Sequence, residues 1–350
     1  MQRLHTLWIG ILLTAMASSA VAESAPVFSL AWSEYPSWSA FGVAHEYRII
    51  DGRRGKMGPV ETKWGVDIEL KEADYDTCIV MYGAGQCDAA CLTNIDSLAP
   101  ALARPSVAIL HTSTSDGADA CIVTGSIGDF AALKRQKAYG LAKTVSEYCF
   151  VRNLELKGED PSGYTFTNMD PGAAALAMQQ KQKGFDAIVV WNPFVLETLN
   201  KRDDVRVLFD SSTIPGEIVD MVTMARDSLK RPGGENFACA VADAFYELNK
   251  KLADPATADD ALVALGEKFS HLDLESMKTV VKQTRFYSTP EQGMALFQGQ
   301  ELQDTMKKVV AFCVDKEIVE NAPVLSYGDG EGSAALAFDS RFMQRAAAGK

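Results

Sequence analysis

The sequence predicts a two-lobed α/β protein, and three observations carry that expectation. Short apolar runs rich in β-branched residues alternate with helical stretches from Val27 to Phe209, the order from which helix-flanked sheets are built. From Glu235 onward the periodicity is helical. The 350 residues exceed the usual size of one domain, and 47% hydrophobic with 23% charged residues supply a globular core.

The first 22 residues stand apart. Arg3, the apolar segment Leu7 to Met16 and the small-residue run Ala20-Val21-Ala22 ahead of Glu23 make residues 1–22 a secretory signal peptide, with an apolar stretch too short for a membrane span. No second long apolar run follows and no Cys stands at the cleavage site, so the mature chain is expected to be soluble, exported and without a lipid anchor. The signal carries one charged side chain, Arg3, so its removal takes the net charge from -12 to -13. Such acidity argues against nucleic acid and anionic membrane as general partners; a nest of backbone N–H groups can still hold a small anion.

Seven cysteines, Cys78, Cys87, Cys91, Cys121, Cys149, Cys239 and Cys313, make an odd number. In an oxidising compartment at least one is a free thiol, and settings such as Ala90-Cys91-Leu92 read as small buried hydrophobes. Cys87 and Cys91 lack His partners and zinc spacing, so no metal site is expected.

In chain order, Val27 to Trp32 reads as the first strand, followed by the turn Ser33-Glu34-Tyr35-Pro36-Ser37-Trp38 into a helix running towards Tyr47. Gly52 to Pro59 is a solvated loop by its Gly and Pro content. Val66 to Leu70 alternates as a half-buried strand, Asp74 begins a helix ending near Gly83, and Asp88 to Thr93 is a strand closed by Thr93-Asn94. A helix over Asp96 to Ala103 precedes the strand Ser106 to His111. The hydroxyl-rich stretch Thr112 to Ala118 leads to the strand Ala120 to Thr124. Lys137 to Lys143 is followed by Thr144-Val145-Ser146, a helix start ahead of Glu147 to Leu156, and Tyr164 to Asn168 is a strand.

Asp170-Pro171 reads as an N-cap with Pro at the first helical position, opening the Ala-rich helix Gly172 to Lys183. Ala187 to Val190 is a buried strand ending in Trp191-Asn192-Pro193-Phe194. Polar and aromatic groups at the carboxyl end of such a strand are where open α/β sheets place ligands, so Trp191 and Asn192 are binding candidates. Val205 to Phe209 is the last strand of the second lobe, Ile218 to Met224 reads as the return crossover, and helices are expected near Asp259 to Phe269, Leu274 to Thr284 and Gln300 to Val314. The Gly-containing tail after Asn321 reads as a loose extension.

No Gly-x-Ser-x-Gly elbow, phosphate loop or His-Glu-x-x-His helix is present, and His45, His111 and His271 form no catalytic constellation. Gly83-x-Gly85 follows a helix and precedes a strand, the reverse of a dinucleotide motif. No catalytic residue and no cofactor is therefore expected.

The Ala-rich helix, the Gly, and Asp186-Ala187-Ile188-Val189-Val190-Trp191-Asn192-Pro193-Phe194 resemble the periplasmic substrate-binding proteins of nitrate/sulfonate/taurine-type (NitT/TauT, NMT1-like) ABC importers, a likeness extending over residues 27 to 225. It implies a periplasmic binding protein type II fold: two α/β lobes with a ligand cleft between them, lobe I from residues 27–115 and 222–350 and lobe II from 116–221. It implies a monomeric receptor that closes on a small molecule and delivers it to an inner-membrane permease with its ATPase. The aromatic turn after the first strand resembles the family's ligand-contacting loop, Thr93-Asn94 stands where the family has a polar contact, and Thr112 to Ala118 corresponds to the first crossover. The start of the helix after Thr144 is where the family holds a sulfonate, nitrate or phosphate; the usual Gly-Ser or Ser-Ser pair is replaced by Thr144-Val145-Ser146. Thiamine-pyrimidine synthases, which share the fold, are the enzymatic alternative, but their Cys-rich cluster is missing.

The candidate ligand-binding residues are Trp32, Glu34, Tyr35, Trp38, Thr93, Asn94, Thr112, Ser113, Asp116, Tyr139, Thr144, Ser146, Trp191 and Asn192. Trp32, Tyr35 and Trp38 fall within seven residues, and each offers a flat apolar face with a polar handle. Hydroxyls at a helix start suit an anion. Against that, the three candidate loops hold no Lys or Arg, while Glu34 and Asp116 stand among aromatics, the combination that holds amines and guanidinium groups. A cationic or neutral nitrogen compound is the favoured expectation, a sulfonate or nitrate the alternative.

Overall fold

The computed structural model describes residues 24–269, 272–328 and 333–349, in which the chain builds two sheets with helices packed around them. The proposed signal peptide lies outside the described residues. Strands β1 (Val27–Trp32), β2 (Asp67–Glu72), β3 (Ala89–Thr93) and β4 (Ser106–Ser115) belong to the first sheet. The chain then crosses to the second sheet for β5 (Asp119–Thr124), β6 (Lys137–Gly140), β7 (Thr165–Asn168), β8 (Ala187–Trp191) and β9 (Val205–Asp210). It returns as β10 (Val219–Ala225) and adds β11 (Thr284–Phe286), β12 (Leu325–Tyr327) and β13 (Leu336–Phe338) to the first sheet.

The first sheet runs β12-β13-β4-β10-β3-β1-β2, with β11 also on β4, and the second runs β7-β6-β8-β5-β9. In the first sheet β1 pairs parallel with β2 and β3, and β10 runs antiparallel between β3 and β4. In the second, β6 is parallel to β7 and β8, and β5 lies antiparallel between β8 and β9.

Local chemistry sets these elements. Asp170 accepts a hydrogen bond from the Ala173 N–H at 2.8 Å while Pro171 occupies the first helical position of Pro171–Gln179, which satisfies one of the helix's unpaired donors. The helix Gly234–Ala253 buries Phe237, Val241, Phe245 and Leu248 against the first sheet, as its 3.6-residue spacing requires. Phe237 stacks on Phe28 of β1 at 5.0 Å. All seven cysteines are buried and unbridged, and burial raises Cys87 to about 11 and Cys78 to about 12, so they are inert core residues.

The structure departs from sequence expectation in three places. The hydroxyls Thr112 to Ser115 continue β4 within the first sheet, and the crossover is confined to residues 116–118. The boundary placed at 221/222 falls inside β10, whose Val219, Asp220 and Met221 already pair in the first sheet. The tail is not loose: β13 pairs with β4, Leu336, Ala337 and Phe338 are fully buried, and the helix Arg341–Ala348 seats Phe342 and Met343 in the core. A three-residue strand between glycines carries too little periodicity to be seen in sequence.

The two crossings are bound together. Ser115 and Ser211 hydroxyls lie 2.7 Å apart, and Ser211 also accepts from the Gly117 N–H at 2.8 Å. On the return crossing, residues 211–218, Glu217 accepts from Arg152 Nε and Tyr148 Oη at 2.8 Å and from Lys308 Nζ at 2.6 Å. Arg152 stands on Val145–Leu156, beside the second sheet, and Lys308 on Gln300–Asp315, beside the first. Burial opposes the Glu217 charge, yet the bonds from Arg152, Lys308 and Tyr148 outweigh it and hold its pKa at about 2.

Two outcomes are expected. Phe338→Ala should cost about 3 kcal/mol or more in urea unfolding, since a buried aromatic leaves a cavity that closes only partly. Glu217→Ala should cost about 3 kcal/mol at neutral pH by leaving Arg152 without its buried partner. Because the folded pKa of Glu217 is depressed, that contribution is present above its ordinary value of 4.5 and vanishes as pH falls towards about 2; the gap between wild type and variant should close over that window.

Candidate functional site

The space between the two sheets is lined by residues from both. Tyr35 and Trp38 come from the turn after β1, Tyr75 from the helix Tyr75–Gly83 and Thr93 from the end of β3; Ile218 and Asp220 stand at the return crossing and in β10. Asp119 opens β5, Val145 opens the helix Val145–Leu156, and Trp191 closes β8. Together they enclose a cavity of about 10 Å³, room for one water. A wider cleft of about 330 Å³ shares Tyr75 and Trp191 with it. Its rim carries Glu34, Glu72, Asp74, Asp76 and Asp170. Among the described residues no Lys, Arg or His lines either space. A larger groove of about 670 Å³ beside Arg231 and Gly234 is drawn from the first lobe alone, so closure of the lobes would not act on it.

The aromatic wall is continuous. Tyr35 and Trp38 have ring centroids 4.8 Å apart, Trp38 stacks on Tyr75 at 5.3 Å, and Tyr75 meets Trp191 edge-on at 5.6 Å. Trp191 thus joins the rings of the first lobe from the end of a strand of the second.

Three carboxylates are buried at this wall. Asp96 Oδ2 accepts from Tyr75 Oη at 2.7 Å, Thr93 Oγ1 at 2.9 Å and the Val145 N–H at 3.4 Å. Asp220 Oδ2 lies 2.5 Å from Ser113 Oγ, which is itself 2.7 Å from Ser37 Oγ. Asp119 lies close enough for its charge to act on both Asp220 and Tyr35. Burial pushes Asp96 up to about 6 against its three hydrogen bonds, and pushes Asp119 up to about 7 with the Asp96 charge adding to the rise. Asp220 is raised well above the usual carboxylate range by burial and by Asp119. Tyr35 Oη, buried beside Asp220 and Thr284, meets hydrogen-bond geometry with neither, and the Trp38 indole N–H is also without a partner.

The sequence candidates separate by placement. Tyr35, Trp38, Thr93 and Trp191 line the cavity, and Glu34 stands at the rim of the outer cleft. Thr112 and Ser113 lie one layer behind: Thr112 donates to the Asp220 carbonyl at 3.1 Å, and Ser113 holds its carboxylate. Thr144 and Ser146 flank Val145; Thr144 Oγ1 donates to the Leu141 carbonyl, and Ser146 Oγ is buried without a partner.

Five candidates are engaged elsewhere. Asn94 donates to the Glu217 carbonyl at 3.1 Å and accepts from the Val219 N–H at 3.0 Å, so its amide fastens the return crossing. Asn192 donates to Gln283 Oε1 at 2.8 Å, joining the end of β8 to the helix Leu274–Gln283 of the first lobe. Trp32 is core, its ring pressed against Gly42, where an added Cβ would sit 2.9 Å away. Asp116 is exposed on the first crossing, and Tyr139 packs on Phe185 at 4.5 Å, within the second lobe's own core.

Tyr75, Asp96, Asp119 and Asp220 went unread in the sequence. The available signal was a carboxylate inside an apolar run, as in Val219-Asp220-Met221-Val222 or Ala118-Asp119-Ala120, because an ionisable group is seldom buried without a task.

No protein-family model matches the chain, and a search of curated proteins finds no match. Solved structures do resemble it. The periplasmic aliphatic sulfonate-binding protein SsuA of Escherichia coli aligns with a TM-score of 0.66 at 15% identity, over 85% of this chain and 89% of that one. The alkanesulfonate-binding protein SsuA of Xanthomonas axonopodis pv. citri, bound to MOPS, aligns at 0.65 and 13%, over 85% and 95%. A Candida albicans gene product with the generic periplasmic binding protein fold aligns at 0.61 and 12%, over 85% and 92%. At such identities the likeness establishes the architecture: this chain has the periplasmic binding protein fold, two α/β lobes joined by two crossings.

Proposed function

We propose that the chain is a solute-binding receptor of an ABC importer. It would be exported by residues 1–22, bind a small nitrogen- or sulfur-containing organic compound between lobes of residues 27–115 with 219–349 and residues 116–218, and pass it to an inner-membrane permease with its ATPase. It would act as a monomer and without catalysis. The observation that carries this reading is that one aromatic wall is shared by both lobes: Trp38 and Tyr75 of the first meet Trp191 of the second. A ligand seated there touches both lobes only when they are together, so its binding selects the closed arrangement.

The structural neighbours support the role: of the two proteins aligned above, one is by name a periplasmic aliphatic sulfonate-binding protein and the other an alkanesulfonate-binding protein. None of the described helices is long and apolar enough to cross a membrane. The absence of a catalytic constellation in the sequence agrees with a receptor that releases its ligand unchanged.

A thermal-shift screen of the purified protein against nitrate, sulfonates, taurine, amines, guanidine, urea and thiamine precursors tests this reading. A ligand at about a hundred times its Kd adds about 2.7 kcal/mol to folding, and at least one compound should raise the Tm. Chemical turnover of the compound that binds would overturn the receptor role. Asn192→Ala removes the bond to Gln283 that joins the lobes; at about 1 kcal/mol for such a bond, Kd should rise roughly fivefold, measured by calorimetry.

A further inference from the structure

Building on the receptor reading above, we propose that the cavity, widened into the cleft of about 330 Å³ with which it shares Tyr75 and Trp191, takes a compact organic cation, an alkylammonium or guanidinium group, held by Asp119 and Asp220 inside the aromatic wall with Asp96 behind Tyr75 and Thr93. Four observations bear on it independently.

The place for an anion is already filled. A helix N-terminus directed into the space between the lobes is a ready anion site, and here the Val145 N–H of a twelve-residue helix donates to Asp96 Oδ2 at 3.4 Å. A carboxylate of the protein occupies the position that a sulfonate or nitrate would need, and it would repel either.

Among the described residues the carboxylates have no basic counter-charge. Asp96, Asp119 and Asp220 are at most 5% exposed, and the titratable groups that act on them are one another together with Tyr35, Tyr75, Cys91, Cys149 and Cys313. No cation is among them, although buried charges are ordinarily paired.

The walls suit a polyatomic cation. Trp38, Tyr75 and Trp191 offer π-faces that attract ammonium and guanidinium groups, and the buried Tyr35 Oη lining the cavity meets hydrogen-bond geometry with no partner among the described residues. Among the described residues no three acidic, Cys or His side chains converge tightly enough for a metal ion. The approach to the cavity is acidic as well: Glu34, Glu72, Asp74, Asp76 and Asp170 ring the outer cleft with no basic residue among them, which draws cations inward.

Occupancy is coupled to protons. Asp96 and Asp119, raised by burial to about 6 and about 7, favour folding most fully below their ordinary values, and that contribution is lost as pH rises through 6 and 7. A cation displaces the same protons, so its affinity should rise between about pH 5 and pH 8, with protons released on binding.

The experiment is calorimetric titration of the purified wild-type protein with guanidinium, ethylammonium and choline chlorides, beside urea and the sodium salts of taurine, methanesulfonate and nitrate, at pH 5.5 and pH 8. Expected are micromolar binding of at least one cation, tighter at pH 8 and with proton release visible as a dependence on buffer ionisation enthalpy, and no binding of the anions. Asp119→Asn, isosteric and uncharged, should weaken that cation about a hundredfold; Asp96→Asn serves if the first variant does not fold. Binding of a sulfonate or nitrate overturns the cation proposal while the receptor reading stands. Cation affinity that is independent of pH, or unchanged in a folded variant, overturns it too, as does failure of all three cations to bind at millimolar concentration.

Discussion

The constraint on which the rest depends is the cost of holding three carboxylates out of water in one place. A buried carboxylate must be hydrogen-bonded, protonated or paired, and around this cavity the protein supplies the first with unusual care. Asp96 takes three donors, and Asp220 is reached by Ser113 with Ser37 behind it. The polar end of β4 serves this in part: Ser113 bonds the Asp220 carboxylate and Thr112 the Asp220 carbonyl, while Ser115 ties the crossings together.

The same region governs how the lobes are related. The two crossings run side by side, tied by Ser115 and Ser211, and the return crossing is gripped by Asn94 on the side of the first lobe and by Arg152 from the second. Glu217 sits where these meet. Its ion pairs with Arg152 and Lys308 reach opposite lobes, so it reports on their relative placement in a way that no residue within a single lobe can. Glu147 with Lys316 adds a second such bridge at 3.2 Å. Cleft and crossings are therefore adjacent layers of one assembly: Val219 N–H bonds to Asn94, and the next residue, Asp220, faces the cavity.

Much of the fold was legible because burial of apolar β-branched runs is a strong constraint. Val27 to Trp32, Ala187 to Val190 and Val205 to Phe209 are all strands in the structure, as are the remaining runs of five residues or more. Tertiary pairing decided what sequence could not: β11, β12 and β13 are three residues each, and they are strands through their partners, β11 on β4 and β13 between β12 and β4. At the site, the aromatic residues stood out by local density, and Tyr35, Trp38 and Trp191 do line the cavity. Asn94 and Asn192 did not show their use in sequence, since an amide at a strand end serves a ligand or a neighbouring segment equally well, and only distance decides. Trp32 precedes the aromatic turn, but its position inside β1 sends its ring to the sheet's helix-covered core. The buried aspartates were passed over for the opposite reason: a single acidic letter in an apolar stretch resembles the polar phase of an alternating strand.

The pairing of β13 with β4 bears on how the chain comes to its shape. Phe338 lies beside Ala108, so neighbours in the first sheet are separated by most of the sequence, whereas the second sheet is complete within residues 119–210. Contacts so distant along the chain close slowly. During synthesis the second lobe has all its strands long before the last residues are made, while the first lobe waits with one side of β4 uncovered. Closure of the first lobe thus depends on residues 284–338 finding β4 across most of the chain, whereas the second sheet needs only local partners.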